Sequence, residues 1–386
     1  MDVWDDMTGQ ADAVAVFRSA ADANTHDEGM THSWLISGPP GSGRSNMAYA
    51  FAAALLSTGT DDAATKRQVD ARTHPDLAVL ATERVIISIE EVRKLVNTSQ
   101  FSPSVGRYRV MVIEDADRMT ERTSNVLLKA LEEPPPRTVW ILCAPSEADL
   151  IPTIRSRVRS VRLRVPAVDE VAALISRRDN VDIATATRAA RESQSHIGMA
   201  HRLATNNDAR ARREQTLQIA LGIRTVSDAV RAAGKLLELA GEDAKAITLQ
   251  RDAEERDNAM RSLGVEPGGT IPPALRAQLK NLEEDQKRRA TRSLRDGIDR
   301  IMVDLLSLYR DILLLQLGAT TELINLSIHS ELLKASDRAT AAGTLTTMDA
   351  IATARRRIDS NVSPALALEA MLIVAARDIS STESLR

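Results

Sequence analysis

Over about the first 166 positions, short runs of consecutive apolar residues alternate with stretches whose apolar residues return at helical spacing. The run Trp34-Leu35-Ile36-Ser37 predicts a buried strand that ends at a glycine-rich turn. Arg109–Ile113 and Val139–Cys143 predict two more, and Val161–Val165 a strand at the sheet edge. Between them, alanine-rich Asn46–Ser57, Ser88–Thr98 with Ile89, Val92, Leu95 and Val96, and Thr123–Leu131 with Val126, Leu127 and Leu128 predict helices. Glu133-Pro134-Pro135-Pro136 ends the last of these, because proline has no amide hydrogen to continue it. Alternating strands and helices are the grammar of an α/β domain with a parallel sheet. Asp169–Thr205 reads as a small helical unit, and the remainder to Arg386 as almost entirely helical. Two charged helices there, Asp243–Leu263 and Ala274–Asp296, flank the Pro/Gly-rich run Gly264–Pro273, which predicts a helical hairpin running on into apolar Ile298–Leu317. The expected division is 1–166, 167–208 and 209–386, with the hairpin near 243–296.

A chain of 386 residues is long enough for several cores. Hydrophobic residues make up 43% and charged residues 27%, so wholesale disorder is excluded. The net charge of −3 supplies no global field for nucleic acid, so such a contact needs a local patch. The hairpin's charges read as a solvated face, with Lys287, Arg288, Arg289 and Arg292 as the alternative nucleic-acid contact. A single cysteine, Cys143, excludes an internal disulfide framework and a cysteine-based zinc cluster; burial at a strand end as a small hydrophobe is the expected role. Apolar runs such as Ile312–Leu317 fall far short of a membrane span, and the acidic start Met1–Asp6 does not read as a signal peptide. These features predict a soluble cytoplasmic protein of several domains.

The local feature richest in chemistry is Gly38-Pro39-Pro40-Gly41-Ser42-Gly43-Arg44-Ser45, placed after a strand and before a helix. Its glycines let successive amides turn inward toward phosphate oxygens, and the following helix adds the positive end of its dipole. Ser45 stands where the hydroxyl ligand of a Mg²⁺ ion belongs, whereas Arg44 takes the lysine position with a bulkier, differently directed cation. Further on, the strand Val110–Ile113 ends in Glu114-Asp115, in the place where P-loop enzymes hold Mg²⁺ and polarise water. The usual order is Asp then Glu, so each carboxylate here has the wrong reach. The alternatives are a strand–helix turn that binds nothing and a polar strand end that caps the next turn.

Further segments carry a family resemblance. Thr153-Ile154-Arg155-Ser156-Arg157-Val158 resembles the Ser-Arg-Cys signature of clamp-loader AAA+ subunits, with valine replacing cysteine. Asn125–Pro135 is similar to that family's "NALLKxLEEPP" segment, Val3–Gln10 to its "FDDLVGQ" opening, and His74-Pro75-Asp76 to its "HPD" element. Leu308–Leu314 resembles the "YRDxLL" element of the collar domain, and Asn361–Leu372 its last helix. The Arg44 substitution and the Glu-Asp order bring the resemblance closest to the delta prime branch of actinobacterial type. The four-cysteine zinc module of bacterial relatives has no counterpart in Ser57–Thr73.

The resemblance implies an α/β P-loop AAA+ domain, a small helical lid domain and an all-α collar domain. It implies a ring shared with gamma/tau and delta subunits, which loads a sliding clamp onto primer-template DNA in the cytoplasmic, nucleoid-associated replisome, without membrane contact. In that ring Arg157 would act in trans as an arginine finger on a neighbour's ATP. Ser146 and His201 fall at the sensor positions, His201 having an ordinary surface histidine as its alternative. ATP with Mg²⁺ at Ser45 and Glu114 is the expected cofactor of such a turn, but Arg44 speaks against it; no zinc is expected. The chain's own ATPase is expected to be weak or absent, and polymerase chemistry belongs to the holoenzyme. The competing readings are a self-sufficient AAA+ motor, such as a gamma/tau-like subunit or a Holliday-junction helicase, and a DNA-binding module led by the hairpin.

Overall fold

The computed structural model describes residues 3–5, 7–22, 31–59, 62–82, 86–262 and 273–383. Contacts divide the chain into two compact units, Met1–Thr205 and Asn206–Arg386.

The first unit holds α1 (Ala11–Asp22), β1 (Ser33–Ser37), α2 (Arg44–Leu56), α3 (Asp62–Asp70), β2 (Leu77–Leu80), α4 (Ile89–Ser99), β3 (Arg109–Ile113), α5 (Glu121–Glu132), β4 (Thr138–Ala144), α6 (Pro152–Arg155), β5 (Arg159–Arg162), α7 (Val168–Asp179), α8 (Ile183–Glu192) and α9 (Ile197–Thr205). The five strands form a parallel sheet in the order β2-β3-β4-β1-β5. Strand alternation divides its side chains between two cores. Trp34, Ile36, Val110, Val112, Val139 and Ile141 join one with Phe17 and Phe51, while Leu35, Met111, Ile113, Trp140 and Leu142 join the other with Val92, Leu95 and Leu127. Phe17, Trp34 and Phe51 meet at centroid distances of 4.7–5.4 Å, which fastens α1 and α2 to one face.

The sheet departs from the sequence pattern at both edges. Strand β2 was not expected, being four residues long and partly exposed. Strand β5 lies two to three residues earlier than Val161–Val165. Leu163 still donates to the Ser37 carbonyl at 2.7 Å, but the side chain of Gln10 then takes over: its Oε1 accepts the Arg164 amide at 3.2 Å and its Nε2 donates to the Arg164 carbonyl at 2.8 Å. A side chain thus replaces the ladder and ends the strand.

The His74-Pro75-Asp76 element clamps the loop before β3. Asp76 is fully buried and accepts from the amides of Ser104, Val105 and Gly106, from the Ser104 hydroxyl and from Arg109 Nη2. The Asp76 amide donates to His74 Nδ1 at 3.1 Å, and burial lowers the pKa of that imidazole, which favours the neutral form.

The second unit consists of α10 (Asn207–Leu221), α11 (Val226–Ser262), α12 (Pro273–Gln316), α13 (His329–Ser336), α14 (Ala341–Asp359) and α15 (Pro364–Glu383). The charged helix expected from Asp243 begins at Val226, and α12 runs unbroken through the expected second helix and the apolar segment. Of the expected loop Gly264–Pro273, all but Pro273 lies outside the described residues. Leu236, Ile298, Leu305, Leu308, Ile351 and Leu368 belong to the core of this unit. The "YRD" segment has a structural explanation: Asp311, fully buried, accepts the amides of Ile324 and Asn325 and the Asn325 side chain, which holds the loop after α12. Buried Arg213 extends this network to Asn325 and Asp304. Across the hairpin, Arg289 is buried and donates to Asp252 Oδ1 at 2.7 Å, so of the four basic residues named as a nucleic-acid contact it has an internal carboxylate partner. Lys287 is exposed, Arg292 pairs with Asp296, and the side chain of Arg288 lies outside the described residues.

Candidate functional site

Strand register brings the C-terminal ends of β1, β3 and β4 to a common level, with Ser37 beside Ala144 and Ile113 beside Leu142. Ligands of parallel α/β sheets gather at this edge. The Gly38–Ser45 turn leaves β1 here and Glu114-Asp115 leaves β3, with β4 between them.

Two glycines make the turn possible. Gly41 and Gly43 have φ of +82° and +90°, a region that side chains make costly. At Gly41 an added Cβ would also lie 2.3 Å from His196 Cγ and 2.6 Å from His196 Cα, just before α9. The Ile197 amide donates to the Gly41 carbonyl at 3.4 Å, so the start of α9 rests on the turn. Gln10 Nε2 reaches the Ser42 carbonyl at 3.3 Å from the opposite side of the sequence. Gly41→Ala is therefore expected to cost about 1–3 kcal/mol through backbone strain and the His196 clash. The fluorescence of Trp4, Trp34 and Trp140, all in the first unit, reports it on denaturation. An unchanged transition would remove His196 from this position.

The polar side chains at and around the turn are bonded within the chain. Arg44 Nη1 bends back and donates to the Gly38 carbonyl at 2.7 Å, within the turn itself. Ser45 Oγ donates to Glu114 Oε2 at 2.7 Å. The Tyr49 hydroxyl donates to Glu114 Oε1, and Arg72 Nη2 meets the same oxygen at 2.9 Å. The Arg72 guanidinium also lies 5.2 Å from the Tyr49 ring centroid. Burial, followed by the hydrogen bond to Glu114, raises the pKa of the Tyr49 phenol, so it stays a donor. Asp115 has a left-handed backbone, φ 52°, and pairs with Arg118 at 3.5 Å. Beside it, burial and the Asp115 charge raise the pKa of Asp117.

A magnesium-bound nucleotide needs this turn open, its cation free and its carboxylate unpaired. None of the three conditions is met: Arg44 is spent on Gly38, His196 covers Gly41, and Glu114 already has three donors. In this arrangement the residues do not fit that group. Among the described residues no three His, Cys, Asp or Glu side chains converge as a metal-binding group.

The sensor-position residues are engaged elsewhere. Ser146 caps a single helical turn, its hydroxyl accepting the Ala148 amide at 3.2 Å while Asp149 accepts the Ser146 amide at 2.9 Å. His201 is half exposed on α9, with Nδ1 2.7 Å from Asp179 Oδ2 on α7. Cys143 is buried at the end of β4, and burial raises its thiol pKa.

Arg157 lies between α6 and β5, and because β5 starts beside Trp34 of β1 it stands at the opposite, N-terminal end of the parallel sheet from the turn, where it is partly exposed. Its Nε donates to Glu132 Oε1 at 2.6 Å and its Nη1 to the Thr153 carbonyl at 2.7 Å, with the Ser156 hydroxyl at 3.1 Å. Glu132, the last residue of α5, is itself 45% exposed, so this is a surface ion pair.

Arg72, Tyr49 and His196 were not singled out in the sequence. Tyr49 could have been found, since it lies one helical turn after Ser45 on α2 and shares its face. Arg72 and His196 reach the turn from distant segments and leave no local signal.

The family model described as "DNA polymerase III, delta subunit" matches residues 9–167, the segment that contains the Gly38–Ser45 turn, Tyr49, Arg72, Glu114, Ser146 and Arg157 but not Asp179, His196, Ile197 or His201. A delta′ subunit of DNA polymerase III from Pseudomonas aeruginosa is 34% identical over 134 residues, 33% of this chain and 41% of that one. The delta′ subunit of Haemophilus influenzae is 32% identical over 151 residues, 37% and 46% of the two chains. Residues 9–167 are thus similar to the delta′ subunits of DNA polymerase III. The tau/gamma subunit of Haemophilus influenzae is also similar, 30% identical over 151 residues, which make up 37% of this chain and 21% of that one. The match spans less than half the length of the delta′ relatives. Among the described residues no helix is long and apolar enough to cross a membrane.

Proposed function

We propose that the chain serves a clamp loader as a partner subunit that lends Arg157 to a neighbour's ATP while its own nucleotide cradle has lapsed. The observation that carries this reading is an asymmetry. At its own turn the charged side chains are held within the chain, Arg44 by the Gly38 carbonyl and Glu114 by Arg72, whereas Arg157 is restrained by a solvent-facing carboxylate. Exposed pairs are worth about 0–1 kcal/mol, so exchanging Glu132 for a neighbour's phosphate costs little. A guanidinium placed there before reaction neutralises charge that grows on the transferring phosphoryl group.

The partners in this reading are gamma/tau and delta subunits in a hetero-oligomeric ring. The sliding clamp and primer-template DNA are engaged through the assembly, in the cytoplasm at the nucleoid. The helices of 209–386 serve as the collar that holds the ring, and 167–208 as the lid. The purified chain alone is expected to show no ATP turnover above a buffer blank, with or without Mg²⁺. Brisk hydrolysis by the chain alone rejects the reading in favour of a self-sufficient AAA+ motor.

A further inference from the structure

Arg72 stands at a position whose backbone calls for glycine. The Thr73 amide bonds back to the Gln68 carbonyl and the Arg72 amide to the Val69 carbonyl, the paired bonds of a Schellman ending on α3. In such an ending the left-handed residue is usually glycine, and here it is Arg72 with φ 58°. An arginine held in this conformation draws attention to its side chain. That side chain reaches across to Glu114, a residue 42 positions away, and stacks on the Tyr49 ring along the way.

Glu114 in turn joins the hydroxyl that ends the phosphate-type turn, Ser45 Oγ, to this guanidinium. The Glu114 side chain is only 15% exposed. A carboxylate so placed needs a positive neighbour, because a buried charge without one is costly. P-loop sites supply that neighbour as a divalent ion shared by the hydroxyl and the acid. We propose that Arg72 is a tethered counter-cation: it neutralises Glu114 through the chain's own charge and thereby excludes a divalent ion from the Ser45–Glu114 pair. The turn is thus held complete by ion pairing, with no metal needed to balance its carboxylate. This rests on the reading of the turn as a lapsed cradle and adds which side chain keeps it closed to metal.

The test uses the full chain and Mn²⁺ alone, with free Mn²⁺ followed by electron paramagnetic resonance. Wild type and R72K, which keeps the charge, are expected to take up Mn²⁺ equally weakly. R72Q is expected to bind it roughly tenfold or more tightly, since ligand charge sets affinity at such sites. R72Q/E114Q is expected to return to the wild-type level. Two results overturn the proposal: R72Q binding no more tightly than wild type, or wild type already holding Mn²⁺ through a site that E114Q abolishes. The second needs no Arg72 variant to fold. Failure of the lapsed-cradle reading looks different, as magnesium-dependent nucleotide binding by the wild-type chain.

Discussion

Arg157→Ala in a reconstituted loader is expected to lower ATP hydrolysis at the interface that Arg157 is proposed to complete by roughly 10³-fold or more, the usual range for an arginine finger. The loss is expected to lie in turnover rather than in assembly. Among the described residues Arg157 bonds Glu132, the Thr153 carbonyl and the Ser156 hydroxyl, all close to its own segment or at the end of α5. Removing a partly exposed ion pair leaves the fold almost untouched. The measurement is DNA- and clamp-stimulated ATPase of the assembled complex, with gel filtration to confirm that the variant co-assembles. Arg157→Lys keeps a charge but not the planar fork, and should recover only part of the rate. If Arg157→Ala assembles and hydrolyses ATP at the wild-type rate, the donor role is wrong.

Asp76→Asn is the substitution with the largest expected cost to stability. The change is nearly isosteric, but it puts an amide where five donors converge and leaves Arg109, 8% exposed, without its carboxylate. Removing one partner of a buried pair costs about 3–5 kcal/mol. In a unit of this size that lowers the transition by roughly 6–20 °C. Tryptophan fluorescence isolates the effect, because Trp4, Trp34 and Trp140 all lie in the first unit. The effect also has a pH signature. Burial pushes the Asp76 carboxyl up, but the amides of Gly106, Ser104 and Val105 and the Ser104 hydroxyl outweigh it and hold the pKa below the ordinary carboxylate value. A depressed folded-state pKa gives stability that is complete above the unfolded value of about 3.9 and is lost as pH falls through the folded value. The gap between wild type and Asp76→Asn should therefore be constant near neutrality and close in acid below about pH 4. A gap that persists unchanged in acid would mean that the carboxylate's charge is not what holds the loop.

The central strands were legible because burial on both faces leaves a continuous apolar run, as in Val110–Ile113 and Val139–Cys143. The edges were not. β2 is too short to display a period, and β5, Arg-Ser-Val-Arg, buries one residue of its four, Val161, and gives way just beyond Leu163 to Gln10, a side chain 154 positions from Arg164, which takes the ladder's place. The site shows the same division. Gly38–Ser45 and Glu114 could be read because a turn between strand and helix is a local event. The pairing of Glu114 with Arg72, and the seating of His196 on Gly41, are tertiary facts for which no spacing rule exists. Arg44 was legible as a cation of altered shape, but its return to the Gly38 carbonyl required coordinates.

Cys143 carries a practical consequence. It is the chain's single thiol, shut inside the end of β4, and its raised pKa keeps it in the unreactive protonated form at neutral pH. The native surface is therefore silent toward maleimides and nitroxide reagents. A cysteine introduced at an exposed position, such as Lys287 on the hairpin or Ser146 beside the turn, would accept a probe with no background from the parent sequence. Distances within the proposed ring could then be measured from this chain without first engineering out any native cysteine.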